Sequence, residues 1–169
     1  MAKKKKTEQS EQFRLSRDIL ALLACALAAV LVAVTVRMFG FGLVVVRSEA
    51  MGGTLRPGDI VLVSQTAQPE AGNVVLAGAL NGSAFRRVLG MPGDRIGTRE
   101  SGVVRNGMEL YEPYASGEMA VQIPESRLGE GLYLLLPDDR SCEGALVQRG
   151  AIAGVARAVV WPPSRAGFL

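Results

Sequence analysis

The sequence contains no histidine, and lysine occurs only at positions 3–6. Hydrolases that use histidine as the general base are therefore excluded, because no imidazole is present to accept the proton. Cysteine is also scarce: Cys25 and Cys142 stand far apart, which excludes a disulfide framework. Two distant cysteines without histidine do not make a zinc site. We therefore expect no metal and no small-molecule cofactor.

Charged residues are missing from one stretch of the chain, and the excess of positive charge is confined to its beginning. Residues 1–18 hold six basic and three acidic residues, residues 19–36 hold none, and residues 37–169 hold thirteen of each sign. The net charge of +3 therefore belongs to a basic tail. Since the body has no excess of positive charge to attract phosphates, we expect no nucleic-acid partner.

The uncharged stretch 19–36 predicts a transmembrane anchor. Its 18 residues read ILALLACALAAVLVAVTV, and as a helix they would span roughly 27 Å. The alternative is a cleaved secretory signal, but the following RMFGF at 37–41 is a poor cleavage site. Because basic residues flank the N-terminal end, the positive-inside rule places residues 1–18 in the cytoplasm. We therefore expect a single-pass protein of the cell membrane, with an extracellular domain at 37–169.

The body contains short β-type runs separated by turn residues. Aromatic residues make up only 5% of the chain, whereas glycine (20) and proline (8) are frequent. Aliphatic and β-branched runs favour strands at 42–46, 60–63, 73–77, 84–90, 132–136 and 155–161, and Asn106-Gly107 favours a hairpin within 103–110. Turn signals recur about every ten residues, which is typical of an all-β sandwich or barrel. The sequence therefore predicts a mainly β fold.

Four motifs follow the apolar stretch in a fixed order. Residues 48–63 read SEAMGGTLRPGDIVLV, 85–94 read FRRVLGMPGD, 104–114 run from VRNG to EPY, and 131–140 read GLYLLLPDDR. From the anchor to about residue 162, this arrangement resembles that of type I signal peptidases, peptidase S26. The resemblance implies a signal-peptidase-like β fold with one N-terminal transmembrane helix. It also implies that the frame of a cleft is formed by Met51, Thr54, Leu55, Gly58, Asp59, Arg87, Gly90, Pro92, Gly93, Asp94, Asp138, Asp139 and Arg140.

The catalytic parts that this family needs do not match. The family's nucleophilic serine corresponds to Ala50, whose methyl group cannot attack a carbonyl. The lysine that serves as the base corresponds to Arg86, and arginine cannot act as a base near neutral pH. The segment after Arg140 does not match the family's lysine-orienting segment, while Ser48 matches the serine on the oxyanion side. Because several parts are lost together, the pattern indicates a natural pseudoenzyme rather than a single inactivating change.

Two residues leave alternatives open. Ser48 is either a retained structural hydroxyl or a substitute nucleophile, since positions i and i+2 of a strand face the same side. No obvious base accompanies it. Arg86 is either a buried cation that requires a partner, or a surface arginine. The carboxylates considered as its partners are those of Glu49, Asp138 and Asp139.

The absent catalytic pair also sets the expected function. Signal-peptidase-like proteins that lack both residues are associated with pilus gene clusters, and the resemblance implies a non-catalytic, membrane-anchored protein in secretion or pilus assembly. Such a protein would bind extended polypeptide by β-addition or hold partner proteins. The expected partners are the membrane, pilin subunits, a sortase or an active signal peptidase. The alternatives are a divergent active signal peptidase, a serine endopeptidase that removes signal peptides, and a regulator of one. The resemblance further implies that Met51 and Leu55 face the lipid.

Overall fold

The computed structural model describes residues 19–35, 40–78, 84–99, 102–120 and 122–169. The chain divides into two units, Met1–Phe39 and Gly40–Leu169. In the first unit, residues 19–35 form an α-helix, α1, whose residues are exposed. Among the residues described, no helix combines the length and hydropathy needed to cross a membrane. The predicted tail at 1–18 and the predicted end of the anchor at 36 lie outside the described residues.

The second unit is built from twelve described strands, which confirms a mainly β fold. The strands are β1 (Phe41–Val45), β2 (Ile60–Ser64), β3 (Val74–Ala77), β4 (Ala84–Gly90), β5 (Arg95–Arg99), β6 (Gly102–Arg105), β7 (Met108–Glu109), β8 (Ser126–Arg127), β9 (Leu132–Leu136), β10 (Ala145–Gln148), β11 (Ile152–Trp161) and β12 (Gly167–Phe168). Two short 3-10 turns lie at Arg149–Ala151 and Pro163–Arg165. Each strand predicted from the sequence is present.

The strands form two antiparallel sheets. The eight-stranded sheet has the order β1-β2-β11-β3-β4-β9-β10, and β12 pairs with β11; the four-stranded sheet has the order β7-β6-β5-β8. The Asn106-Gly107 turn joins β6 to β7, and both residues have a positive φ, 53° and 83°. Two left-handed residues are the signature of the type I′ hairpin turn that this dipeptide predicts.

Three hydrophobic clusters form the core, and β4 contributes to each of them. Phe85 packs in a cluster with residues of β2, β3 and the segment before β2. Val88 packs with β3, β9 and β11, and Leu89 packs with β5, β6 and β9. A cavity at any of these positions would leave several neighbours without packing contacts. Strand β4 is therefore held on both faces, which fixes the backbone around Arg86.

Two turns of the same sequence type precede β2 and β5. Both read Xaa-Pro-Gly-Asp, and their glycines, Gly58 and Gly93, have φ of 92° and 87°. In each turn the aspartate closes back on the backbone: Asp59 Oδ2 accepts from Arg56 N at 2.9 Å, and Asp94 Oδ2 accepts from Met91 N at 2.9 Å. These closures explain why glycine and aspartate occupy those positions of the predicted cleft frame.

Candidate functional site

Ala50 lies in the segment between β1 and β2, where it is 4% exposed. Its amide donates to Ser48 Oγ at 3.2 Å, and its carbonyl accepts from Asp139 N at 3.0 Å. The backbone at position 50 is therefore fixed from two sides, although its side chain carries no reactive atom. Ser48 is exposed, and this contact with the Ala50 amide is its one hydrogen bond among the described residues.

Arg86 is buried, with 8% of its surface exposed. Its Nη1 donates to the carbonyl of Phe85 at 2.8 Å, and its Nε has no hydrogen-bond partner. Burial lowers the pKa of Arg86, and the nearby Cys142 side chain offsets only part of this effect. The guanidinium thus retains an unpaired donor inside the protein, which is costly for a charged group.

The predicted carboxylate partners of Arg86 are wrong. Asp138 binds Arg87 instead. Asp139 Oδ1 accepts from the Ser141 amide at 3.0 Å and from its hydroxyl at 2.6 Å, and these bonds lower the pKa of Asp139. The third candidate, Glu49, is exposed. Of the two alternatives for Arg86, the structure shows the buried arginine, but the counter-ion that burial normally demands is missing among the described residues.

The guanidinium of Arg86 covers an open edge of β4. Val88 is bonded to the β3 side, since its amide donates to Asn73 O at 2.9 Å and its carbonyl accepts from Gly72 N at 2.7 Å. Alternation along an antiparallel strand turns the backbone of Phe85 to the opposite side. Strand β9 is on that side, but its pairing with β4 covers only Arg87 to Gly90. Within the described residues, the acceptor of Phe85 therefore faces no strand and is satisfied by Arg86.

Arg87 forms a bidentate ion pair at the other face of β4. Its Nε and Nη2 bind Asp138 Oδ1 and Oδ2 at 2.8 and 2.7 Å, and Asp138 is fully buried. Thr54 Oγ1 donates to Asp138 Oδ2 at 2.5 Å and accepts from Arg87 Nη2 at 3.0 Å. The ring of Tyr114 lies 3.9 Å from Arg87 Cζ. This set of four side chains, the Arg87 cluster, joins residues from each of the four sequence motifs.

Arg140 forms a second buried ion pair beside this cluster. Its Nη2 lies 2.5 Å from Glu112 Oε1, its Nη1 donates to Pro137 O, and its Nε has no partner. Tyr114 donates to the same Glu112 oxygen at 3.1 Å. Burial, together with the negative charge of Glu112, raises the pKa of Tyr114 to about 12. These bonds connect Arg140 to Glu112 and Tyr114, and they fix the turn after β9 to the segment after β7.

Met51, Leu55 and Gly90 of the predicted cleft frame are buried inside the β unit. Met51 and Leu55 are 1% and 0% exposed, and both pack in the cluster of Phe85. The expectation that they face lipid is therefore wrong, because the chain folds back and buries them under β2 and β4. At Gly90, an added Cβ would lie 2.7 Å from Leu128, so a side chain does not fit.

Sequence reasoning missed three contacts of the site. The first is the hydrogen bond from Arg86 to the carbonyl of its neighbour Phe85. The second is the Tyr114 ring over Arg87, and the third is the ion pair of Arg165 with Asp59 at 3.0 Å. No pattern in the sequence indicates these contacts. The residues of the turn after β9 also carry no local signal that this turn would bind Ala50. Only the motif order indicated that these segments meet.

The turn after β9 contacts family position 50 directly. The Asp139 amide donates to the Ala50 carbonyl, and Cys142 N donates to Asp139 O at 3.1 Å. Cys142 is also near enough to Arg86 to influence the pKa of that side chain. Across the described residues, no carboxylate, amine or imidazole is bonded to the Ser48 hydroxyl. Among the residues that the structure describes, none is therefore placed to take a proton from Ser48.

This chain is similar to known proteins over most of its length. The sequence model of the family described as "Signal peptidase, peptidase S26" matches residues 19–161. A probable signal peptidase I-2 of Synechocystis is 28% identical over 158 residues, which cover 83% of this chain and 72% of that protein. Signal peptidase I S of Bacillus subtilis is 24% identical over 180 residues, covering 91% and 95%. Signal peptidase IB of Staphylococcus aureus is 28% identical over 145 residues, covering 69% and 76%.

Proposed function

Since this chain belongs to the signal peptidase family, peptidase S26, we propose that it is a non-catalytic, membrane-anchored member that binds an extended polypeptide. The observation that carries the proposal is the pair of changes at the family's reactive positions. A methyl group stands at position 50, and a buried guanidinium covers the β4 edge at position 86. A protease of this type needs a hydroxyl and a neutral amine there.

Among the described strands β1 has a neighbour on one side only, and this edge supports polypeptide binding. Strand β1 ends the order of the eight-stranded sheet. Val46 is bonded to the β2 side, through its amide to Asp59 O at 2.8 Å and through its carbonyl from Gly58 N at 2.9 Å. Alternation therefore directs the backbone groups of Leu43 and Val45 outward. Their side chains are 64% and 51% exposed, so an extended segment would find both hydrogen bonds and apolar contact on β1.

The membrane anchor is part of the same proposal. Residues 19–36 contain no charge, and the helix at 19–35 is exposed and rich in leucine, valine and alanine. We expect residues 1–18 to lie in the cytoplasm and the β unit to lie outside the cell. The proposed partners are pilin subunits or a sortase, and, for a regulatory role, an active signal peptidase.

Peptide binding tests the proposal directly. The probe is a fluorescein-labelled decapeptide of alternating Val and Thr, which favours the extended state, and it is titrated against the full chain in detergent. Val45→Pro removes an outward amide without touching the β2 ladder, and we expect affinity to fall about tenfold. The matched control Val45→Thr keeps the amide and should bind as the unaltered chain does. Equal binding by Val45→Pro would show that β1 is not the binding edge.

Photocrosslinking in native membranes identifies the bound protein. A photoreactive amino acid at Leu43 is compared with one at Tyr111, which is exposed on the segment after β7. Crosslinks from position 43 alone to pilin subunits or a sortase would support a role in assembly. Crosslinks to an active signal peptidase would support a regulator. An identical set of products from both positions would contradict specific binding at β1.

A second candidate function is a divergent active signal peptidase. It is favoured by the Ser48 hydroxyl, which is exposed two positions before Ala50, and by relatives named as signal peptidases. This candidate predicts that the purified chain cleaves a secretory precursor in detergent and that Ser48→Ala abolishes the cleavage. Cleavage by the unaltered chain that survives in Ser48→Ala would exclude Ser48 as the nucleophile.

A further inference from the structure

The positive charge of Arg86 has no counter-ion among the described residues, although only 8% of the residue's surface is exposed and its Nε is buried. Three carboxylates that belong to the turn after β9 or are bound to it are engaged by other groups, and Glu49 and Glu143 are exposed. Asp138 is bound by Arg87 and Glu112 by Arg140, while Asp139 accepts two bonds from Ser141. Cys142 lies close, but a thiol is a weak hydrogen-bond acceptor. A buried cation in this condition gains strongly when an anion reaches it.

The position of this cation matters as much as its charge. Arg86 Nη1 lies on the carbonyl of Phe85 at the uncovered edge of β4, and its Nε is unpartnered. The turn that approaches it, Asp139–Cys142, also holds the Ala50 carbonyl. A peptide that ends or turns at this place would therefore bring its polar group to the guanidinium.

We propose that Arg86 is a carboxylate-binding subsite, which receives the carboxylate of an extended peptide where the family's base would stand. The proposal rests on the polypeptide binding inferred above and adds the chemistry that selects the bound segment. Guanidinium and carboxylate form charge-assisted, often bidentate hydrogen bonds, which are about twice as strong as neutral ones. The carboxylate is that of a free C-terminus or of an Asp or Glu side chain, since both present the same two oxygens.

Three versions of one peptide test the proposal. The Val/Thr decapeptide, ending in Ala, is prepared as the free acid, as the C-terminal amide, and as the amide with one Asp next to the end. Fluorescence anisotropy with the full chain in detergent gives each Kd at pH 7. We expect the free acid to bind at least about tenfold more tightly than the amide, as a hydrogen bond between charged groups predicts. If Asp restores the affinity of the amide, a side chain serves equally well; if it does not, the C-terminus is the ligand.

Variants then assign the preference to Arg86. Arg86→Met should lower the acid-to-amide ratio to about one, and Arg86→Gln provides a second neutral variant that keeps a donor for Phe85 O. The control Arg95→Met removes a charge from an exposed arginine of β5 and should keep the preference. A preference that persists in both Arg86 variants would overturn the subsite.

The two proposals can fail separately. Equal affinity of the unaltered chain for acid and amide, with Val45→Pro weakening both, would overturn the carboxylate subsite and leave polypeptide binding intact. Absence of binding by every peptide would overturn the polypeptide-binding function, and the subsite with it.

Discussion

Arg86 shows how one substitution changes the chemistry of a position without changing its place in the fold. Desolvation by burial can bring a lysine amine to a neutral state, in which it can accept a proton. Burial also lowers the pKa of Arg86, but guanidinium starts from so high a value that it stays charged near neutral pH. The family position for a neutral base therefore holds a permanent cation here, which binds the strand carbonyl of Phe85 instead.

Restoring the two family residues is expected to give no more than background cleavage. Ala50→Ser supplies the hydroxyl and Arg86→Lys supplies the amine. The segment after Arg140 does not match the family's lysine-orienting segment, and the Asp139 carboxylate in this turn already accepts from the amide and hydroxyl of Ser141. Without orienting groups, the lysine amine is not held in the geometry that it needs to accept the serine proton. Cleavage of a purified secretory precursor by the double variant, with Ala50→Ser as the control, measures this. Rapid cleavage would show that the orienting groups are dispensable.

Neighbouring arginines of β4 are expected to change stability in opposite directions. Arg86→Met removes a buried charge that lacks a partner and should raise the free energy of unfolding by about 1 kcal/mol. Arg87→Met leaves the fully buried Asp138 without its cation and should lower it by about 3 kcal/mol. Chemical denaturation followed by circular dichroism gives both values under the same conditions. A loss of stability in Arg86→Met would mean that the hydrogen bond to Phe85 O contributes more than the unpaired charge costs.

At the scale of elements, the Arg87 cluster is what joins the motifs. Strand β4 supplies Arg87, the segment before β2 supplies Thr54, the turn after β9 supplies Asp138, and Tyr114 comes from the long connection after β7. Because these segments are far apart in sequence, the contacts of the cluster are long-range contacts. They determine how the strands and turns are placed around position 50.

Two adjacent aspartates provide a test of this cluster. Asp138→Asn removes the charge that binds Arg87 and should cost about 3 kcal/mol of unfolding free energy. Asp139→Asn alters an aspartate whose carboxylate, among the described residues, bonds only to Ser141 of its own turn, and we expect a much smaller change. Denaturant titration of the two variants makes the comparison. Equal effects at both positions would contradict a joining role for the cluster.

The elements also show what the sequence was able to predict. Aliphatic runs identified β2, β3, β4 and β9, because buried strands need consecutive apolar residues. Strand β5 was missed, since it reads RIGTR and only Ile96 and Gly97 are buried. The short strands β8, β10 and β12 have only two to four residues each, too few to show a periodic pattern, and β8 in addition pairs with β5, which is distant in sequence.

The same limit applies to the site. Motif order identified positions 50 and 86, because these are properties of the backbone frame, and it left burial of Arg86 as one of two alternatives. It did not predict that Asp138 would bind Arg87 rather than Arg86. Adjacent residues of a strand face opposite sides, and the choice between them depends on which side the turn after β9 approaches. That approach is set by tertiary packing, which a single sequence does not reveal.

At the scale of the whole molecule, Asp59 ties the beginning of the β unit to its end. Arg165, after β11, binds both oxygens of Asp59, with Nη2 3.0 Å from Oδ2, and Asp59 is 2% exposed. Burial by itself would raise the pKa of Asp59. The hydrogen bond from Arg165, the Arg56 amide and the two guanidinium charges outweigh it, so the pKa of Asp59 lies below its usual value of 3.8.

This shift predicts how acid affects stability. Because the folded pKa is lower than the unfolded one, Asp59 contributes stability that is fully present above the unfolded pKa and is lost as pH falls from about 4 through the folded value. Asp59→Asn should therefore lower the free energy of unfolding at pH 7, by about 2 kcal/mol, and should flatten its decline below pH 4. Asp139 also has a lowered pKa, so part of the decline remains.

Asp94→Asn is the matched control, because Asp94 closes the same type of turn but is paired with Asn106 at 2.8 Å rather than with an arginine. Urea titrations from pH 3 to pH 7 compare the three proteins. If Asp59→Asn and Asp94→Asn decline equally on acidification, the link between Asp59 and Arg165 does not govern the acid stability of the β unit.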